Sequence, residues 1–336
     1  MTNLIKKIYV AITLLSVTAI GHAYGAQTCR ESVNCCNPCE TTCCGQGFVS
    51  AEFLYWRAFE DGLDICIPQE ESNFVTTDGF VTSRFVGKGR DINFKWDPAF
   101  RLGAGYAFGD NCGCDGWDVG VFWTHFHSHA HASYACASHL NWKLDFDVVD
   151  LVAGYDHKLN CCFGIRPFLG LRLARIDQKL HISEGDSSGS FSSFPSSSFP
   201  FSDDELFVSS TVKNTQDFKG VGPILGLEAD WNIGCGFSFY ASADVAWLYG
   251  KYKIKFTDST EFIDAFDFCE ISKHVDANVA VGDAAIGIRW EKCFCNDLRL
   301  LVQLGFEHHR YFDYNRLGDC GDLSFDGINL GVGLRF

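Results

Sequence analysis

The feature that most constrains this chain is a period of two in its hydrophobicity, sharpest at the C-terminal end. Ile328, Leu330, Val332, Leu334 and Phe336 fall on one face of an extended chain; Asn329, Gly331, Gly333 and Arg335 fall on the other. Side chains of a β-strand point alternately to opposite faces, so the pattern belongs to strands with one apolar face. The alternation recurs upstream. Phe94, Trp96, Pro98, Phe100, Leu102, Ala104, Tyr106 and Phe108 oppose Lys95, Asp97, Arg101, Gly103 and Gly105. Segments 165–173, 221–231, 237–247 and 298–306 repeat it, and 48–58, 117–128 and 142–158 do so less cleanly. Over 275–291 the phase switches near Gly282-Asp283, which predicts a bulge. Pro98 lacks a ladder donor, which predicts a bulge or kink there. Abundant Gly and Phe beside sparse Met and Pro fit a strand-rich chain.

These segments predict an all-β fold of about ten antiparallel strands (roughly 8–14). Their connections alternate in length. Short ones fall at 109–116, 160–164, 234–236 and 293–297, and long ones at 60–91, 129–141, 183–216, 257–273 and 313–324. Short turns at one end and long loops at the other characterise transmembrane barrels, with short turns and both termini on the periplasmic side.

A soluble barrel alternates too, with its apolar face inward. Three features favour lipid outside. The chain ends on an alternating strand with Phe336, the terminal signature that outer-membrane proteins present to the barrel-assembly machinery. Aromatics sit near strand ends (Trp96, Tyr106, Phe108, Trp231, Trp247, Tyr249), where interfacial girdles belong. The other face carries charge, and each Arg or Lys facing mid-bilayer would cost about 2–4 kcal/mol. A hydrated lumen avoids that cost. The candidate pore-lining residues are Glu52, Lys95, Arg101, Arg166, Arg172, Glu228, Asp230, Asp244, Arg299 and Arg335. Such charges select ions in an open pore, or close a narrow one by pairing.

Residues 1–23 read as a cleaved signal peptide: Lys6 and Lys7, an uncharged run from Ile8 to Ile20, then small residues, with cleavage after Ala23 or Gly25. Residues 24–46 read as a Cys-rich periplasmic extension and 47–336 as the barrel. No later apolar run is long enough for a membrane helix. The net charge of −15 argues against nucleic acid as partner. The expected surroundings are outer-membrane lipid and envelope proteins.

Seventeen cysteines in a secreted chain are disulfide material, and the odd number leaves at least one over. Thirteen map to the periplasmic side: Cys29, Cys35, Cys36, Cys39, Cys43, Cys44, Cys112, Cys114, Cys161, Cys162, Cys235, Cys293 and Cys295. Cys66, Cys136, Cys269 and Cys320 map to long loops. The periplasmic set fits either cross-links to other envelope proteins or to a second copy, or internal stapling of turns to the extension. Zinc at Cys29, Cys35, Cys36 and Cys39 is a third option that an oxidising compartment disfavours.

His125, His127, His129 and His131 share one strand face, as weak candidates for zinc or copper or as an exposed strand tip. Loop 183–216 is Ser-rich, and Phe74 to Thr82, around Asp78-Gly79, predicts a small hairpin or an added strand pair in the wall. No cofactor motif and no nucleophile motif appears, so no enzyme is expected. His308-His309 with Asp313 is a faint candidate for a rim protease.

Segments Gly47-Phe-Val-Ser-Ala-Glu-Phe-Leu-Tyr-Trp-Arg-Ala58 and Trp96-Asp-Pro-Ala-Phe-Arg-Leu-Gly-Ala-Gly-Tyr106 resemble the first strands of the Legionella-type major outer membrane protein family, also expanded in chlamydia-like bacteria. Gly222-Pro-Ile-Leu-Gly-Leu-Glu228 and Leu248-Tyr-Gly-Lys251 fit it too. The resemblance spans most of 47–336. It implies a pore-forming outer-membrane protein with no catalytic residues. The cysteine content resembles chlamydial envelope proteins, whose disulfide networks stiffen the wall.

Overall fold

The computed structural model describes residues 45–63, 75–77, 80–82, 92–109, 116–133, 138–160, 162–184, 209–261, 266–294, 298–317 and 321–336. The expected signal peptide, 1–23, and nearly all of the expected Cys-rich extension, 24–46, lie outside these residues.

Twelve strands are described: β1 (Gln46–Glu60), β2 (Val75–Thr77), β3 (Phe80–Thr82), β4 (Trp96–Gly109), β5 (Gly116–Ser133), β6 (Ser138–Lys158), β7 (Phe163–Glu184), β8 (Ser209–Gly234), β9 (Phe237–Glu261), β10 (Phe266–Cys293), β11 (Arg299–Asn315) and β12 (Gly321–Arg335). Ten of them, β1 and β4 to β12, form one closed antiparallel barrel in which each strand pairs with its sequence neighbours and β12 returns to β1. Strands β2 and β3 pair only with each other. The predicted hairpin exists, and it adds nothing to the wall.

Closure is completed at the chain end. Gly47 N–H donates to Phe336 C=O at 2.8 Å, and Phe336 N–H donates to Gly47 C=O at 2.9 Å. At the same rim, β8 and β9 meet in a two-residue turn, Cys235-Gly236, with φ of 54° and 79°. Positive φ at both positions matches the right-handed twist of the strands. A Cβ at residue 236 would lie 2.2 Å from Glu291 C=O, so glycine is required there on steric grounds as well.

Strand lengths differ round the wall. β1, β4 and β12 have 14 or 15 residues, whereas β8, β9 and β10 have 26, 25 and 28. A membrane crossing takes about 9–11 residues, so the long strands continue well beyond the bilayer. Much of what reads as loop is therefore strand: β5 and β6 are separated only by 134–137, β9 and β10 by 262–265, and β11 and β12 by 316–320. Long connections persist at 61–95 and 185–208.

The outer surface fixes the membrane level. Trp123, Val149, Leu173, Val221 and Tyr249 lie side by side across β5 to β9. One outward position higher, the row becomes His125, Asp147, Arg175, Lys219 and Lys251. Below the first row the outward residues are apolar and exposed, including Val119, Leu171, Leu225 and Val245. Charged residues cannot replace them there without facing hydrocarbon.

Two expected sites of a bulge show none. β10 runs through Gly282-Asp283 in unbroken register with both neighbours. What switches there is the chemistry of the inward face: Val279 and Val281 above, Asp283 below, all three buried. Pro98 pairs with Tyr55 without a register shift, and pairing with β5 begins one residue later at Ala99. The described breaks lie at Asn232/Gly234 and between Tyr311 and Asn315.

Candidate functional site

The lumen has two unlike halves. Its extracellular half is a packed core. Trp56, Phe126, Phe146, Tyr311 and Phe325 point inward and are buried. Phe146 and Phe325 have ring centroids 4.8 Å apart, and Trp56 lies 5.5 Å from Phe126 and 5.6 Å from Phe325. A second layer joins Phe218 to Tyr252 at 4.7 Å and to Tyr314 at 5.7 Å.

The end of β11 builds part of this plug. The break after Tyr311 and a left-handed Asp313 (φ 51°) turn Tyr314, Asn315 and Leu317 into the lumen, where all three are buried. Their polar atoms are satisfied: Tyr314 C=O accepts from Tyr252 Oη (3.1 Å) and Gln216 Nε2 (3.2 Å), and Asn315 Nδ2 donates to Asp61 C=O (2.8 Å). The segment is thus fixed across the bore. Leu63, Ile92 and Phe94 from the β1–β4 connection pack on the same core, Phe94 against Trp142 at 5.1 Å. Phe94 therefore belongs inside and does not share the outward face of β4. Glu60 is buried here with no ion pair among the described residues; its Oε2 accepts from Trp142 Nε1 (2.7 Å) and Gln178 Nε2 (2.9 Å).

The periplasmic half holds a cavity of about 560 Å³, lined from Gln46, Gly116 and Arg335 up to Trp56, Phe146 and Tyr311. Nine of the ten candidate pore-lining residues line it: Glu52, Arg101, Arg166, Arg172, Glu228, Asp230, Asp244, Arg299 and Arg335. The tenth, Lys95, does not. It precedes β4 and is exposed, because the strand starts at Trp96 whereas the sequence pattern begins at Phe94.

Three sets of ion pairs organise the cavity. At its inner end Arg101 contacts Glu52 at 2.8 Å and Glu307 at 3.2 Å, and Glu307 also accepts from Trp56 Nε1 at 2.8 Å. Beside them Arg172 holds Asp150 at 2.7 Å, Asp283 at 2.5 Å and Asp244 at 3.6 Å, and His309 Nδ1 lies 2.9 Å from Asp283. Nearer the periplasm Arg166 binds Asp118 through Nε at 2.7 Å, and Glu228 bridges to Arg289 at 2.8 Å. Opposite charges thus tie the wall together across the bore at its narrow inner end.

Sequence reasoning missed Asp118, Asp150, Asp283, Arg289 and His309 as lumen residues, and left Glu307 out of the candidates. A signal existed for some of them. Asp150 stands directly opposite Arg172, as Glu52 stands opposite Arg101, so the register predicts the partner once one member is known.

Other candidates are dispersed. His308 points outward to Asp326, His309 points inward to Asp283, and Asp313 is exposed; the rim-protease arrangement is not assembled. His125, His127, His129 and His131 form an outward stripe above the membrane row. Of the cysteines, Cys162 and Cys235 lie at periplasmic turns and Cys293 ends β10 at that rim. Cys269 is exposed within β10, opposite Asp258, and not in a loop. The remaining cysteines lie outside the described residues.

An apolar belt around a closed ten-stranded sheet, with its charges turned inward, defines a transmembrane barrel of the bacterial outer-membrane class. The sequence matches the family described as Legionella pneumophila major outer membrane protein precursor over residues 36–334, and the chain belongs to that family. Its location is the bacterial outer membrane. Among solved structures it is similar to the outer membrane protease OmpT from Escherichia coli (11% identity, 87% of this chain and 96% of that one, TM-score 0.42). It is also similar to Ail, the attachment invasion locus protein of Yersinia pestis (13%, 87% and 99%, TM-score 0.27), and to a FadL homologue of Pseudomonas aeruginosa (9%, 87% and 90%, TM-score 0.31). No curated protein matches the sequence.

Proposed function

We propose that this protein is a structural barrel of the outer membrane, shut to free diffusion in its resting state, with a charged basin open toward the periplasm. One observation carries this: all ten strands contribute inward side chains to one packed core of aromatic and aliphatic residues above the basin, anchored by the inturned end of β11. Filling a bore with interdigitated rings removes the continuous water path that ions need. The reading has no catalytic step. Its cysteine-rich periplasmic side supports a further role in a disulfide-linked envelope.

A diffusion pore, as the family resemblance implies, is the second reading. The charge-lined basin favours it, and it requires the plug to move. Planar-bilayer recording of the refolded full chain separates the two. Silence across the physiological voltage range is expected; discrete openings would overturn the shut-barrel reading in favour of the pore. Non-reducing electrophoresis of native envelopes tests the cross-links. High-mass species that collapse on reduction are expected, and a purely monomeric band would remove that role.

A further inference from the structure

Six of the chain's 11 histidines lie on one outward patch above the membrane: His125, His127, His129 and His131 on β5, His139 on β6 and His181 on β7. Along β5 the rings follow one another, tilted for His127–His129 with centroids 6.4 Å apart and edge-on for His129–His131 at 5.4 Å. Their orientation is set by the neighbouring strand. His127 Nδ1 lies 2.6 Å from Asp145 Oδ1, His125 Nδ1 lies 2.9 Å from Asp147 Oδ1, and His131 Nδ1 bonds to Asn141 Oδ1. An Nδ1–H donated to an oxygen fixes the tautomer and leaves the Nε2 lone pair directed away, the arrangement that carboxylates give to metal-ligating imidazoles.

We propose that this stripe is an extracellular site for a borderline-soft divalent cation, Zn²⁺ or Cu²⁺, held by pairs of imidazoles from His127, His129 and His131, with water completing the coordination sphere. Imidazole nitrogens are suited to these ions. Metal–nitrogen bonds of about 2.0–2.1 Å need the Nε2 atoms of neighbouring rings to approach by small side-chain rotations, which exposed rings on a rigid strand permit. No three ligand side chains converge on one point among the described residues, so the site is a two-imidazole chelate. Asp145 acts as a positioning residue, fixing the His127 ring through its Nδ1.

The test uses the full chain in detergent with its thiols alkylated beforehand, so that cysteine cannot supply the signal. Equilibrium dialysis against Zn²⁺ or Cu²⁺ alone is expected to show micromolar binding, and the Cu²⁺ complex is expected to show nitrogen couplings by electron paramagnetic resonance. The triple variant H127Q/H129Q/H131Q is expected to lose at least about tenfold in affinity, and Asp145→Asn to lose several-fold. All four side chains face solvent, and unchanged heat-dependent gel mobility checks that the barrel still folds. Wild-type binding no stronger than that of the triple variant would overturn the site. Loss in the triple variant with none in Asp145→Asn would overturn the positioning role.

Discussion

Below the row Trp123 to Tyr249 the barrel is apolar outside and charged inside; above it, the same strands are charged outside and apolar inside. β7 shows both states within a few residues. Leu169, Leu171 and Leu173 face lipid while Arg172 faces the lumen; then Arg175 and Lys179 face water while Ile176 and Leu180 are buried within. The backbone does not change and no bulge intervenes. What changes is the solvent on the outer side. Amphipathic alternation therefore reports which medium a face meets, and one continuous strand can be a membrane strand at its foot and a water-soluble barrel strand at its tip.

The largest test of this contrast lies in the lower lumen. Arg172→Met is expected to lower stability by about 3–5 kcal/mol, because it strands buried Asp150 and Asp283 without their cation. Urea titration of the folded band checks it, and adding D150N and D283N is expected to restore part of the loss. On the outer surface, Leu225→Arg places a charge in the lipid belt, at a position now 62% exposed, and is expected to cost about 2–4 kcal/mol in bilayers. Lys219→Leu, three outward positions higher on β8, is expected to change stability by less than about 0.5 kcal/mol. Equal effects of the two would mean that the medium does not change at the proposed row.

A test read against pH concerns the upper core. Burial pushes the Glu60 carboxyl up from 4.5 to about 8, against hydrogen bonds from Gln178 and Trp142. The folded state accommodates the neutral form. Its contribution is complete below about 4.5 and declines as pH rises to about 8. The thermal midpoint of the wild type should fall across that window, and Glu60→Gln should flatten the fall. Equal falls in the wild type and Glu60→Gln would show that Glu60 does not titrate across that window.

The same inversion explains what the sequence did and did not disclose. The ten strands, their order and the lipid-facing residues were legible because the lower half alternates with bulky apolar side chains, as in Ile328 to Phe336. The upper ends of β5 and β8 read as loops, within 129–141 and 183–216, because outward His129 and Lys213 look like loop polarity, while buried Ala130 and Gln216 lie on the opposite phase. The false bulge at Gly282-Asp283 has the same origin. Asp283 and His309 went unread because they sit at the level where the phase turns over. Lys95 was placed in the lumen by extending the pattern of β4 past its first residue. The plug itself depends on a left-handed Asp313 and a register break, neither of which leaves a periodic trace.

The unequal strand lengths make the outer lip oblique. Among the described residues, β8 to β10 form a crest that carries paired backbone farther out than the strand ends of β12, β1 and β4, so regular sheet itself, and not only loop, is presented to the cell's surroundings on that flank.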